Sequence, residues 1–232
     1  MNGFKHHVTE RGEGPALVLL HGNGEDSSYF VHQLEDFAPY YHVYALDSRG
    51  HGQSPRGTAP FTIRQFSEDL LGFLDERGIE KAHILGFSDG ANIAMVFALA
   101  HPERVDRLIL NGGNLDPAGI VEPLRRSILR GYRTARLFAG VSGKARRRAE
   151  LLGLMVNDPA LTPADLEGIT TPTLVVAGDH DLIEDAHTRT IAAHLPHSRL
   201  AILPGDHCVA NQNHEAFDRL VLDFLTGGTG GD

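Results

Sequence analysis

Three residue types able to break an acyl bond together stand at glycine-bearing positions along the chain. They are a serine in Gly86-Phe87-Ser88-Asp89-Gly90, an aspartate in Gly178-Asp179-His180-Asp181 and a histidine in Pro204-Gly205-Asp206-His207. Serine becomes a nucleophile only when a base takes its proton, a carboxylate holds that base in one tautomer, and N–H donors meet the oxyanion that forms. The chain order Ser, Asp, His is one of the orders in which such a trio occurs. Ser88 is therefore the candidate nucleophile, His207 the candidate base and Asp181 the candidate acid, with Asp179 and Asp116 left open as alternative acids. The backbone N–H groups of Asn23, in His21-Gly22-Asn23-Gly24, and of Asp89 are the candidate oxyanion donors, each worth about 2.7–4 kcal/mol of barrier. Taken alone, G-x-S-x-G is also an ordinary glycine-rich turn, so the surrounding elements must decide.

Those elements alternate. The apolar run from Ala82 to Leu85 leads into the Ser88 turn, and Ala91, Ile93, Ala94, Val96, Phe97 and Leu99 leave it with helical spacing, giving strand, sharp turn and helix. Ala16 to Leu20, His42 to Leu46, Val105 to Leu110, Thr173 to Ala177 and Leu200 to Leu203 read as further strands, with Phe4 to Thr9 as an edge strand. Thr62 reads as the N-cap of a helix striped by Ile63, Phe66, Leu70, Leu71 and Leu74. Strands alternating with helices imply an α/β class with a parallel sheet covered on both faces, and ligands then bind outside the carboxyl ends of the strands. All the candidate loops lie at those ends.

Composition narrows the partners. The chain has 232 residues, 41% of them hydrophobic, and a net charge of −9, which argues against a nucleic-acid binder. No run approaches the ~18 apolar residues a membrane span needs, and the N-terminal stretch has no signal-peptide core, so a cytoplasmic protein with no membrane partner is expected. The one cysteine, Cys208, excludes an internal disulfide and a cysteine-based metal site. A zinc reading on His180, Asp181 and His207 lacks the paired helical histidines that would support it, so no metal is expected. Fourteen histidines leave many bystanders; His21 reads as a structural hydrogen-bonder under its loop, and His101, His194, His197 and His214 sit on or beside helices.

Charge is uneven along the chain. Residues 117 to 150 hold nine Lys or Arg against two Glu, a balance of +7, which leaves −16 elsewhere. With helical spacing at Leu124, Ile128, Leu129, Tyr132 and Leu137, residues 117–167 are expected to form a helical cap, with 1–116 and 168–232 as the core. Its arginines are expected to be solvated faces lying against an acidic body, with attraction of anionic substrates as the sharper alternative. Leu151, Leu152, Leu154 and Met155 should face the pocket or the core, and the glycine-rich tail from Gly227 to Asp232 should be disordered.

His21-Gly22-Asn23-Gly24, the run DSRGHGQS at 47 to 54, GFSDG at 86 to 90, GDHD at 178 to 181 and PGDH at 204 to 207 occur in the order of the α/β-hydrolase superfamily, which the chain resembles over nearly its whole length. The resemblance implies an α/β-hydrolase fold with Ser88 as nucleophile, Asp181 as acid, His207 as base and Asn23 with Asp89 as oxyanion donors. It implies no cofactor. Room for one strand before Ala16, where many members have a hairpin, implies about seven strands. The superfamily includes esterases, C–C bond hydrolases, peptidases, dehalogenases, epoxide hydrolases and receptors. A serine nucleophile and the absence of Trp set aside the dehalogenase and epoxide-hydrolase chemistries, and Asp89 departs from the Trp that iminopeptidase-like members carry after the serine. A serine hydrolase acting on a small-molecule carboxylic ester is the expected activity, with a C–C bond hydrolase, an amidase or a ligand-binding receptor as alternatives.

Asp89 poses a problem of its own. At about 6 Å and an effective dielectric near 20, its charge would oppose a developing oxyanion by roughly 3 kcal/mol. Either it points away in the first helical turn, or it faces the acyl group and pairs with a cation, from a cap arginine or a substrate amine.

Overall fold

A computed structural model describes residues 4–227, so all of the expected tail after Gly227 lies outside the described residues. Seven strands form one sheet: β1 (Val8–Arg11), β2 (Ala16–Leu20), β3 (His42–Leu46), β4 (Ala82–Phe87), β5 (Val105–Asn111), β6 (Thr173–His180) and β7 (Ser198–Asp206). Their spatial order is β1-β3-β2-β4-β5-β6-β7, with β1 antiparallel to β3 and the other neighbours parallel. The strand leading to Ser88 is therefore the central one. Helices α1 (Val31–Phe37), α2 (Ile63–Glu76) and α3 (Asp89–Ala100) link the first strands. Helices α4 (Glu122–Phe138), α5 (Gly143–Asn157) and α6 (Pro163–Leu166) lie between β5 and β6, and α7 (Asp185–His194), α8 (Val209–Gln212) and α9 (His214–Leu225) complete the chain.

Continuous apolar strands predict burial on both faces, and alternate residues divide accordingly. Val18, Leu20, Ile84, Leu108 and Val175 pack with Phe66, Leu70, Phe97 and Ile191 from α2, α3 and α7. Leu17, Leu19, Leu85, Ile109 and Val176 pack on the other face with Leu34, Phe37, Phe217 and Val221 from α1 and α9. Thr62 caps α2 as its sequence position implied, its hydroxyl accepting from the Gln65 N–H at 3.2 Å.

Several strand boundaries differ from the sequence reading. The edge strand spans Val8–Arg11 instead of Phe4 to Thr9, because antiparallel pairing starts at Val8↔Leu46 and β3 offers no further strand beyond Leu46. Phe4 is used instead as a platform for Arg49, whose guanidinium sits 4.0 Å from the ring centroid. Strands β6 and β7 run past their apolar stretches as far as His180 and Asp206, which pair with each other across a register shift. The backbone ladder, which carries no hydrophobic signature, extends them. No helix among the described residues is long and apolar enough to cross a membrane.

Candidate active site

The nucleophile position is made by backbone sterics. Ser88 follows the fully buried β4 and precedes α3 with φ 54° and ψ −117°, a left-handed conformation for a residue with a side chain. Its N–H donates to Asn111 O at 2.8 Å, and its carbonyl accepts from the N–H groups of Ala91 and Asn92 at 2.9 and 3.1 Å, which holds the turn. A Cβ at Gly86 would come within 2.2 Å of Gly90 O, and one at Gly90 within 1.9 Å of Leu20 O. The flanking glycines are therefore required for the turn to close against β2.

Register then assembles the polar groups. Pairing of His180 with Asp206 makes Asp181 and His207 neighbours at the ends of adjacent parallel strands. His207 Nδ1 donates to Asp181 Oδ1 at 2.6 Å, which leaves Nε2 to accept from Ser88 Oγ at 3.0 Å. Asp181 Oδ1 also accepts from the Ile183 N–H at 2.9 Å. The alternative acids are occupied elsewhere: Asp179 accepts from the Gly205 N–H at 2.9 Å, and Asp116 accepts from the Ala118 N–H at 2.5 Å in a turn. Gly112, at φ +62°, lies under the imidazole, where a Cβ would come within 2.9 Å of His207 Cε1.

The loop carrying Asn23 is braced from below. His21 Nε2 accepts from the Ser48 N–H at 3.0 Å, so its Nδ1–H donates to Gly22 O at 2.8 Å. Burial lowers the His21 pKa and keeps the ring in this neutral form. The bystander role inferred for His21 is thus a bridge between two loops. Below it, Arg49 makes a two-point ion pair with Asp69 at 2.7 and 2.6 Å, both side chains buried. Among the described residues no hydrogen bond uses the N–H of Asn23 or that of Asp89.

Asp89 stands in the first turn of α3, as one of its two expected courses required. The residue is 7% exposed, and no ion pair among the described residues reaches its carboxylate. The Asn23 side-chain amide donates one proton to Asp89 Oδ2 at 2.8 Å and the other to Leu151 O on α5 at 2.9 Å. Burial pushes the Asp89 pKa up to about 6, opposed by the Asn23 hydrogen bond and His207 and reinforced by Asp158. Asp158 is itself raised by burial, and so is Glu25, whose Oε2 accepts from the Gly22 N–H at 3.2 Å. Acidic side chains therefore gather around the nucleophile.

Sequence reasoning missed Glu25, Tyr29 and the bridging role of the Asn23 amide. Tyr29 stacks on Phe87 at 4.2 Å and 3°, and Phe87 in turn lies 4.9 Å from the His207 ring. The only signal for Glu25 was a carboxylate directly after a glycine loop. Helices α4 and α5 pack together over Ile128, Leu152 and Met155, while Leu154 is buried in the core. Among the described residues their arginines form no ion pair with an acidic residue outside these helices. Arg125 and Arg126 pair with Glu122 of the same helix, and the ion pair that crosses to the body joins Glu150 to Arg56, at 2.8 Å, with the opposite polarity. Arg147 donates to Gly50 O at 2.7 Å.

Residues 15–137 match the family described as the alpha/beta hydrolase fold. The chain is 32% identical over 264 residues to 2-hydroxy-6-oxononadienedioate/2-hydroxy-6-oxononatrienedioate hydrolase 2 of Pseudomonas putida, covering 94% of this chain and 91% of that protein. Among solved structures it resembles the enol-lactonase from Burkholderia xenovorans LB400, with a TM-score of 0.80 and 27% identity over 97% of this chain and 98% of that one. A hydrolase from Pseudomonas aeruginosa PA01 has a TM-score of 0.78 and 27% identity over the same shares.

Proposed function

Because the chain belongs to the alpha/beta hydrolase fold family, we propose that it is a serine hydrolase cleaving a small carboxylic ester through an acyl-enzyme intermediate. The observation that carries this reading is the unbroken hydrogen-bond chain from Asp181 through His207 to Ser88, at 2.6 and 3.0 Å. Ser88 Oγ attacks the ester carbonyl as His207 Nε2 takes its proton. Asp181 favours the imidazolium that forms and keeps the ring in the accepting tautomer. The N–H groups of Asn23 and Asp89, unused among the described residues, receive the oxyanion. His207 returns the proton to the leaving alcohol, and a water activated by the same ring then releases the acid and regenerates Ser88. No step requires a cofactor. Residues 117–167 act as the cap, with Leu151 O held by the Asn23 amide beside the nucleophile.

A second reading is hydrolysis of a C–C bond beside a ketone, in an oxo-dioate like that in the name of the Pseudomonas putida relative. The carboxylates of Asp89, Asp158 and Glu25 weigh against it, because they repel a dianion and favour a neutral or cationic acyl group. The test is a fluorophosphonate probe with peptide mapping, combined with turnover of p-nitrophenyl esters of graded length and of a 2-hydroxy-6-oxo-dienedioate. Labelling at Ser88 with ester turnover is the expected result. Labelling without turnover of any ester, thioester or amide would make the protein a receptor, and faster turnover of the dienedioate would move it to C–C chemistry.

A further inference from the structure

A further histidine–carboxylate group stands where α1 meets α9, using none of the candidate active-site residues. His214 and Asp218 are four residues apart on α9 and so share one face of that helix, and Asp36 of α1 approaches the same face. His214 Nδ1 lies 3.9 Å from Asp36 Oδ2 and 3.9 Å from Asp218 Oδ2, and the three atoms fall within 4.8 Å of one another. That spacing is too wide for a direct hydrogen bond and close enough for a shared ion.

Neighbours outside the trio hold Asp218 and restrain His214. Asp218 is 3% exposed, and its Oδ1 accepts from Gln33 Nε2 at 2.8 Å. The other amide proton of Gln33 goes to Ala210 O at 2.9 Å. Asp218 Oδ2 and His214 Nδ1 are both buried with no hydrogen-bond partner. His32 stacks on His214 with ring centroids 3.9 Å apart and 6° between planes, which restrains the imidazole. A cleft of about 660 Å³ between α1 and α9 reaches Asp36 and Asp218, and Glu35, Glu215 and Asp223 also line it, opposed by Arg219. A buried carboxylate oxygen and a buried ring nitrogen, both unpartnered and held by neighbours outside the trio, are the arrangement seen when outer groups orient metal ligands.

Ligands at about 2.0–2.2 Å from one ion stand roughly 3.0–3.6 Å apart, and both 3.9 Å separations from His214 exceed this, so Asp36, the exposed member, and the His214 ring must each shift inward to bring all three into range. One imidazole with two carboxylates suits a borderline divalent ion such as Zn²⁺ better than Mg²⁺ or Ca²⁺, which favour oxygen-only shells. We propose that Asp36, His214 and Asp218 bind one divalent transition-metal ion of the Zn²⁺ class, with water completing its shell, and that this ion clasps α1 to α9.

The site is tested on the full chain and, to remove the active-site imidazole as a competing ligand, in the His207→Ala background. Zn²⁺ is titrated in competition with a chromogenic chelator, and melting is followed with Zn²⁺ or Mg²⁺. One equivalent of Zn²⁺ is expected, together with a rise in Tm of about 5–10 °C at roughly 100 times Kd and no comparable effect of Mg²⁺. Asp36→Asn, on an exposed side chain, and His214→Ala should each weaken Zn²⁺ at least about 10-fold. Absence of stoichiometric binding, or unchanged affinity in both variants, overturns the proposal, since the metal would then sit on other histidines.

Discussion

Two of the assemblies that join an imidazole to carboxylates are built to different spacings. At the end of β6 and β7, His207 and Asp181 meet at 2.6 Å, so one proton is shared along a line that continues to Ser88. Between α1 and α9, His214 faces two carboxylates at 3.9 Å each, with no proton to share at that distance. Parallel strands 4.7–4.9 Å apart bring successive loop residues into hydrogen-bond contact, whereas two packed helices leave a gap the size of an ion. In the roles proposed for them, the first arrangement moves a proton and the second holds a cation.

The comparison breaks most sharply at the rings themselves. Ser88→Ala and His207→Ala should each lower kcat/KM for a p-nitrophenyl ester by about 10⁴-fold or more, while His214→Ala leaves it within about 2-fold. A large kinetic loss in His214→Ala would show that the two assemblies are not separate. The next effect is at the acid, where Asp181→Asn should cost about 10³–10⁴-fold in kcat through the wrong His207 tautomer, and Asp179→Asn should cost little. Comparable losses in the two variants would return the acid to the alternatives that the sequence left open.

Asp89 sharpens the contrast by a pH measurement. Its carboxyl is raised by burial to about 6 in the folded chain, above the usual value near 3.8, so the folded state is favoured while Asp89 is protonated and that advantage is lost as pH rises through 6. The full difference is of the order of 3 kcal/mol. Asp89→Asn should therefore flatten the fall in stability between about pH 4 and pH 6, read as Tm against pH. An unchanged slope would mean that the carboxylate is solvated. The smallest effect expected is at Asn23, where replacement by Ala leaves Asp89 Oδ2 and Leu151 O unpaired and should cost about 1–3 kcal/mol of stability, measured by denaturant unfolding.

Much of this was legible from residue order. The central strand, the turn at Ser88, the cap at Thr62 and the sheet faces follow from apolar runs and from glycines that no other residue can replace, because these are local consequences of sterics and burial. The full lengths of β6 and β7 were not legible, since their last residues are held by backbone pairing and not by an apolar pattern. The same pairing selects Asp181 over Asp179, two residues apart on one strand end and chemically identical. The neutral Asn23 partner of Asp89, the crossing of Glu150 to Arg56 and the meeting of Asp36 with His214 and Asp218 each join residues far apart in the chain. The sequence by itself determined which chemical groups the protein has and which strands carry them. Which groups touch was decided by the tertiary structure, because contact depends on register and helix packing, and those are set by the burial of the whole sheet at once.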